Sequence, residues 1–155
     1  RIENSNVSLT ESSIRYNGDH GVYVSTVSKE DAIFDISIER CAITSNEENG
    51  IYLTNYAQVS IHNNSMFFNG PSSGIGYNVR LQAFFGGDPV QAQSNYWGYT
   101  DEDDIGVTIR DNRDPEAADV STYVDFSDWL NDPPVEFRLQ AGRREAEGTW
   151  VRSSR

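Results

Sequence analysis

The stretch Val59-Ser-Ile-His-Asn-Asn-Ser-Met-Phe-Phe-Asn69 decides the fold, because earlier parts of the chain repeat it. Val7-Ser-Leu-Thr-Glu-Ser-Ser-Ile-Arg-Tyr-Asn17 and Ile36-Ser-Ile-Glu-Arg-Cys-Ala-Ile-Thr-Ser-Asn46 align with it without internal gaps. The closing asparagines are 29 and then 23 residues apart. A second short apolar stretch follows each copy: Gly21-Val-Tyr-Val24, Gly50-Ile-Tyr-Leu53 and Gly74-Ile-Gly-Tyr77. Val7/Leu9, Ile36/Ile38 and Val59/Ile61 alternate with polar residues, the period of a strand that buries one face.

A unit of about 23 residues with two or three short strands is one coil of a parallel β-solenoid. Stacking coils about 4.8 Å apart pairs their backbones and lines up like side chains. The expected inward columns are Val7/Ile36/Val59, Leu9/Ile38/Ile61 and Ile14/Ile43/Met66. Asn17, Asn46 and Asn69 would form an amide ladder at one turn, each side chain bonding the next. The longer first spacing places an insertion around Ser25–Asp31.

The rungs resemble those of the right-handed parallel β-helix repeat proteins of the pectin-lyase-like superfamily, with Val59–Asn69 followed by Gly74-Ile75 as the nearest copy. A second resemblance lies further on. Many secreted bacterial and archaeal members close with an Asn-Tyr/Trp-Trp-Gly element, a short helix and a Val-Asp-Phe/Tyr-Ser-x-Trp-Leu strand. This chain has Asn95-Tyr-Trp-Gly98, the segment Asp101–Arg110 and Val124-Asp-Phe-Ser-Asp-Trp-Leu130. The resemblance implies an all-β, right-handed parallel β-helix of three to four rungs over residues 1–130, with the cap in 95–130. Thr100 is the expected N-cap of a short capping helix in which Ile105, Thr108 and Ile109 cover the last rung. Trp97 and Trp129 would close that end. Residues 131–155 read as linker or tail after Asn-Asp-Pro-Pro134. The chain is expected to be the C-terminal part of a longer protein, with upstream rungs or another chain at the open N-terminal end.

Composition narrows the partners. The 155 residues carry a net charge of −12. Val135–Arg155 holds five Arg and three Glu, a net +2, which leaves −14 on residues 1–134. Such a surface is a poor match for nucleic acid. It suits high ionic strength, where screening relieves self-repulsion. No run approaches the roughly 20 apolar residues of a membrane-spanning helix, so membrane insertion is not expected. A lone cysteine excludes an intrachain disulfide.

Fold alone carries no activity, so chemistry has to be read from residues. A lyase needs a base beside the α-proton of a uronate and positive charge to stabilise the enolate. Glu39 and His62 on adjacent coils, with Arg40 beside them, form the sharpest such constellation. The competing reading is a solvated cross-rung pair, and it is preferred. The Asn-Thr-Asp, Gly-His-Gly and Arg-Ile-Lys motifs of polygalacturonases are missing. Asp101, Asp103 and Asp104 are calcium candidates, as is Asp111-Asn-Arg-Asp114, although neither set has the spacing of a defined calcium loop and helix capping explains the first. His20 and His62 belong to different columns, so no zinc site is expected, and no cofactor is implied. Tyr23 and Tyr52 should point outward one above the other, with Gly76 next in the column, offering flat faces for sugar rings. The sequence therefore reads as an extracellular or cell-surface module with a structural or adhesive role and polysaccharide contact. The alternative is the terminal part of a polysaccharide lyase, epimerase or glycoside hydrolase.

Overall fold

The structure, a computed structural model, describes residues 1–3, 5–26, 34–55, 57–70, 76–85 and 87–134. Most of the Ser25–Asp31 insertion, Gly74-Ile75, Gly86 and the tail from Val135 lie outside them.

The strands recur in a three-step cycle. β1 (Ile2–Glu3), β4 (Val22–Ser25), β7 (Ile51–Asn55), β10 (Val79–Phe84) and β12 (Ile109–Arg110) form sheet A in that spatial order. β2 (Val7–Thr10), β5 (Asp35–Glu39), β8 (Gln58–His62), β11 (Val90–Gln91) and β13 (Val124–Asp125) form sheet B. β3 (Ser13–Arg15), β6 (Ala42–Thr44) and β9 (Ser65–Phe67) form sheet C, extended by a parallel bridge from Ser65 to Tyr96. Every pairing among the described residues is parallel, between strands one coil apart. This is a three-sided solenoid, and it is all-β apart from the short helix α1 (Glu102–Gly106).

The register fixes the core. Val7, Ile36 and Val59 pair in sequence, as do Leu9, Ile38 and Ile61, and Ile14, Ile43 and Met66. Ile36, Ile38, Ile43, Ile61 and Met66 are buried, and the first-rung members Val7, Leu9 and Ile14 pack half-exposed against them. Each pair of rungs therefore covers the one between, which a single coil could not do for itself.

Three expectations need correcting. The third copy of the second strand is Asn78-Val-Arg-Leu81, not Gly74–Tyr77, because Val79 pairs with Ile51 and Leu81 with Leu53. Gly76 instead passes Gly70 so closely that a Cβ on either would collide with the other. Asn95–Gly98 is the corner of a fourth rung, with Tyr96 under Ser65 and Trp97 fully buried. Finally, the N-cap is Asp101, whose extended backbone and side-chain acceptor serve the amides of Asp103 and Asp104 at 3.0 and 3.4 Å. The helix stops at Gly106, and Ile109 belongs to β12, which adds to sheet A as part of a fifth rung. Ile105 is the helix's buried residue.

Candidate functional site

The corners, where one sheet turns into the next, carry the polar chemistry. At the turn after sheet C, Asn17 Nδ2 donates to Asn46 Oδ1 at 2.7 Å, and Asn46 Nδ2 donates to Asn69 Oδ1 at 2.8 Å. Asn69 Nδ2 continues to Asn78 Oδ1 at 2.9 Å. The ladder explains the glycines that follow it. A Cβ on Gly21 would lie 2.7 Å from Asn46 Nδ2, and one on Gly50 would lie 2.8 Å from Asn69 Nδ2. The repeated asparagine thus occupies the space that the glycine of the rung before leaves open.

A second ladder, not foreseen from the sequence, stands at the turn between sheets B and C. Asn64 Oδ1 accepts from the Cys41 amide at 2.8 Å, and Asn64 Nδ2 donates to Asn95 Oδ1 at 3.0 Å and to the Ile38 carbonyl at 2.9 Å. Both side chains are completely buried. Cys41 fills the same column one coil earlier, and burial pushes its thiol pKa up, which keeps it a neutral packing group.

The outward positions of sheet B hold the sharpest catalytic constellation. Register places Glu39 between Thr10 and His62, as expected. The side chains go elsewhere. Arg40 forms ion pairs with Glu39 at 2.9 Å and Glu11 at 3.1 Å, and His62 Nδ1 lies 3.0 Å from the Gln93 carbonyl oxygen. Glu39 is held by a guanidinium and the His62 ring is aimed at a backbone carbonyl. The two are neighbours in register without acting on a common point.

On sheet A, Tyr23 and Tyr52 pair in register, with ring centroids 5.3 Å apart and planes within 13°. The next residue in the column is Arg80, not Gly76. Its guanidinium lies 5.6 Å from the Tyr52 centroid, and Arg1 lies 5.2 Å from that of Tyr23. His20 stacks on Tyr52 at 4.3 Å and parallels Tyr23 at 5.8 Å. The flat faces expected to meet sugar are therefore turned toward each other, the imidazole and the arginines. Burial pushes the Tyr52 phenol pKa up, so its edge is a neutral hydroxyl.

Open aromatic faces occur at a different place. Tyr16 and Phe68 follow Arg15 and Phe67 at the end of sheet C, two coils apart, and are 72% and 73% exposed. Both have left-handed backbones, with φ of 59° and 56°. Tyr99, also exposed, comes after Gly98 on the fourth rung, where φ is +85° and a Cβ would lie 2.7 Å from Phe67 Cβ. Phe67 packs edge-on against both Phe68 and Tyr96. The sequence does not single these residues out, because neither core packing nor catalysis requires them.

The acidic groups sort just as plainly. Asp101 is committed to its cap, and Asp103 and Asp104 are exposed on α1. Asp111 is buried, bonded by Arg113 and by the Val124 amide at 2.8 Å, and Asp114 accepts from the Asp111 amide at 2.8 Å. These bonds lock the closing loop. Beyond Arg80, Arg110 turns inward to the Leu81 carbonyl at 2.6 Å and to Asp119 at 3.2 Å. Burial alone would push the Asp119 carboxyl up, but bonds from the Ala83 amide and Arg110 outweigh it and hold the pKa below the usual value.

Among the described residues, metal-ligating side chains converge at Asp19, His20 and Glu48, whose ligand atoms all lie within 4.8 Å of one another. His20 Nδ1 is 3.1 Å from Asp19 Oδ1 and 3.4 Å from Glu48 Oε2. Asp19 and Glu48 are adjacent in one corner column, since the Glu48 amide donates to the Asp19 carbonyl. From the sequence no zinc-type site is expected, because the two histidines lie apart. Carrying the 29-residue offset of Asn17 and Asn46 two and three positions further would have placed Asp19 over Glu48 and His20 over Asn49.

A family model described as the right handed beta helix region matches residues 1–119. The chain belongs to the right-handed β-helix family. No curated protein and no solved structure matches it. In this β-helix the outward positions and corners are consequently where function has to be sought, since the inward columns are consumed by packing.

Proposed function

We propose that this β-helix is a non-catalytic extracellular or cell-surface module with an adhesive role, which holds neutral polysaccharide along the corner after sheet C. The observation that carries the reading is the exposure of Tyr16 and Phe68 in left-handed backbone, each a bulky residue in a conformation costing about 1 kcal/mol. Neither adds to the core. Aromatic faces spaced by whole coils suit pyranose rings stacked along an extended chain, with corner amides and hydroxyls supplying hydrogen bonds. The acidic surface disfavours a polyanionic glycan. The likeness of Asn95–Gly98 and Val124–Leu130 to the closing elements of secreted pectin-lyase-like proteins supports the extracellular placement. Among the described residues no strand covers the outer edge of β2 or β3, and such an edge suits upstream rungs of a longer protein or another chain. Tyr23 and Tyr52 would contribute hydroxyl edges only.

Affinity electrophoresis through cellulose, xylan, mannan and chitin derivatives tests the reading. Retardation by one of them, reduced at least fivefold in Phe68→Ala and unchanged in Glu39→Gln, is expected. Equal retardation of Phe68→Ala, or none in any gel, would overturn it. Unsaturated products or new reducing ends on incubation with pectate or alginate would favour the lyase or hydrolase alternative, and a changed uronate composition without cleavage the epimerase.

A further inference from the structure

We propose that Asp19, His20 and Glu48 form a binding site for a divalent transition metal of the zinc class, clamping the first coil to the second. The three side chains come from two turns that are neighbours only because the coils stack, and their ligand atoms all lie within 4.8 Å of one another. Ligands at about 2.0–2.2 Å from a zinc ion lie roughly 3–3.5 Å from one another, close to the 3.1 and 3.4 Å found around His20 Nδ1.

The environment of that nitrogen supplies an independent argument. Asn49 Nδ2 lies 3.1 Å from His20 Nδ1, and the amide cannot turn over freely, because its Oδ1 accepts from the Tyr77 amide at 3.1 Å. Nδ1 therefore faces one N–H donor and two carboxylate oxygens. Both carboxylates are open to solvent on their outer side, with Asp19 74% and Glu48 54% exposed, so an ion at this point keeps room for water. A cation between Nδ1, Asp19 Oδ1 and Glu48 Oε2 takes one lone pair from each, and the Asn49 amide then donates to a ligating oxygen or a bound water.

The site is also preorganised. Stacking on Tyr52 and alongside Tyr23 fixes the imidazole plane, and the ring is only 11% exposed. Asp19 and Glu48, one coil apart in a column, are like charges that repel without a counter-ion. One nitrogen and two carboxylate oxygens, with positions left for water, match zinc, cobalt or nickel better than calcium, which takes six to eight oxygens in more open cages. The clamp joins turns 29 residues apart in sequence.

The test uses the full chain without a histidine tag. Zn²⁺ titration by calorimetry, followed in parallel through imidazole ¹⁵N–¹H correlation spectra, should show one ion per chain and a shift of the His20 ring with His62 unmoved. His20→Gln and Glu48→Gln should each weaken binding at least tenfold while circular dichroism stays unchanged. Glu102→Gln, on the exposed helix, should leave it alone. Ca²⁺ should bind at least tenfold more weakly than Zn²⁺. The proposal fails if Zn²⁺ leaves the His20 ring unshifted, which would make the cluster an ordinary hydrogen-bonded surface contact. It fails equally if the His20 variant binds as tightly as the parent, or if Ca²⁺ matches Zn²⁺. Polysaccharide retardation is a separate readout, so either proposal can fall without the other.

Discussion

The two turns that flank sheet C are built alike and used differently. Each places a residue with left-handed backbone immediately before an inward column. Between sheets B and C the left-handed residues are Glu11, Arg40, Asn63 and Ser94, and the inward ones are Ser12, Cys41, Asn64 and Asn95. After sheet C they are Tyr16, Ser45 and Phe68, followed by Asn17, Asn46 and Asn69. The first turn spends its strained positions on short polar residues and an Arg–Glu pair, and its ladder is fully buried. The second places large aromatics there, in solvent, over a ladder that runs from exposed Asn17 to buried Asn46. One turn ties its left-handed positions to an ion pair and a buried ladder. The other leaves aromatic faces in solvent.

The largest expected effect separates the two ladders. Asn95→Ala removes acceptors for the Asn64 amide and side chain and donors to the Ile61 and Ala92 carbonyls, all in the interior. Leaving such groups unpaired should cost roughly 3–5 kcal/mol. Asn69→Ala, in the half-exposed ladder, should cost roughly 1–2 kcal/mol because water reaches part of the site. Urea denaturation with matched slopes would measure both. Equal losses would show that the ladders are energetically equivalent and that burial does not distinguish them.

Acid should act on the first turn and on the end of the solenoid. Asp125 pairs in register with Gln91 and accepts from the Gln93 side chain and from the Ser127 amide, the latter at 3.1 Å. Burial pushes its carboxyl up, but the bonds from Ser127 and Gln93, with the charge of Arg113, outweigh this and hold the pKa below the ordinary value. Asp119 is lowered in the same direction. A carboxylate with a depressed folded-state pKa stabilises the fold fully above its unfolded value of about 3.9 and loses that contribution as pH falls through the folded value. Unfolding free energy should therefore decline below about pH 4. Asp125→Asn should flatten that decline while leaving the Asn17–Asn69 turn unaffected. An unchanged acid profile in the variant would remove Asp125 from the account.

What could be read in advance follows from how strictly each feature repeats. The three gapless copies with their apolar alternation carry the register, because a one-residue slip would turn every inward side chain to solvent. The fourth rung escaped that pattern. Ala92 stands where Ile61 and Ile38 precede it, and Trp97 where Met66 does, so Val90–Trp97 shares the backbone path without sharing side-chain size. The buried ladder was hidden for a related reason, since its column reads Ser, Cys, Asn, Asn and only its last two members bond as amides. Outward chemistry was less legible still. Register correctly made Tyr23 and Tyr52 neighbours, but the direction of their faces depends on His20, Arg1 and Arg80, which the alignment did not bring together.

The smallest effect on stability is also the most discriminating. Phe68 is exposed and held at a φ of 56°, a region that glycine enters without the Cβ penalty. Its loss sacrifices one edge contact with Phe67. Phe68→Gly should consequently change stability by less than about 1 kcal/mol, with relief of strain opposing the lost contact and the greater freedom of the unfolded chain. Arg40→Gly, at the corresponding position of the other turn with φ of 51°, gains the same relief but breaks the pairs with Glu11 and Glu39, so its balance should be less favourable. Thermal unfolding of both variants beside the parent measures the contrast, and gel retardation supplies the functional half. If Phe68 is an adhesive contact, its glycine variant keeps its melting temperature within a few degrees and loses polysaccharide retardation. If Phe68 is instead a packing residue, stability falls by more than Arg40→Gly costs and retardation stays as it was.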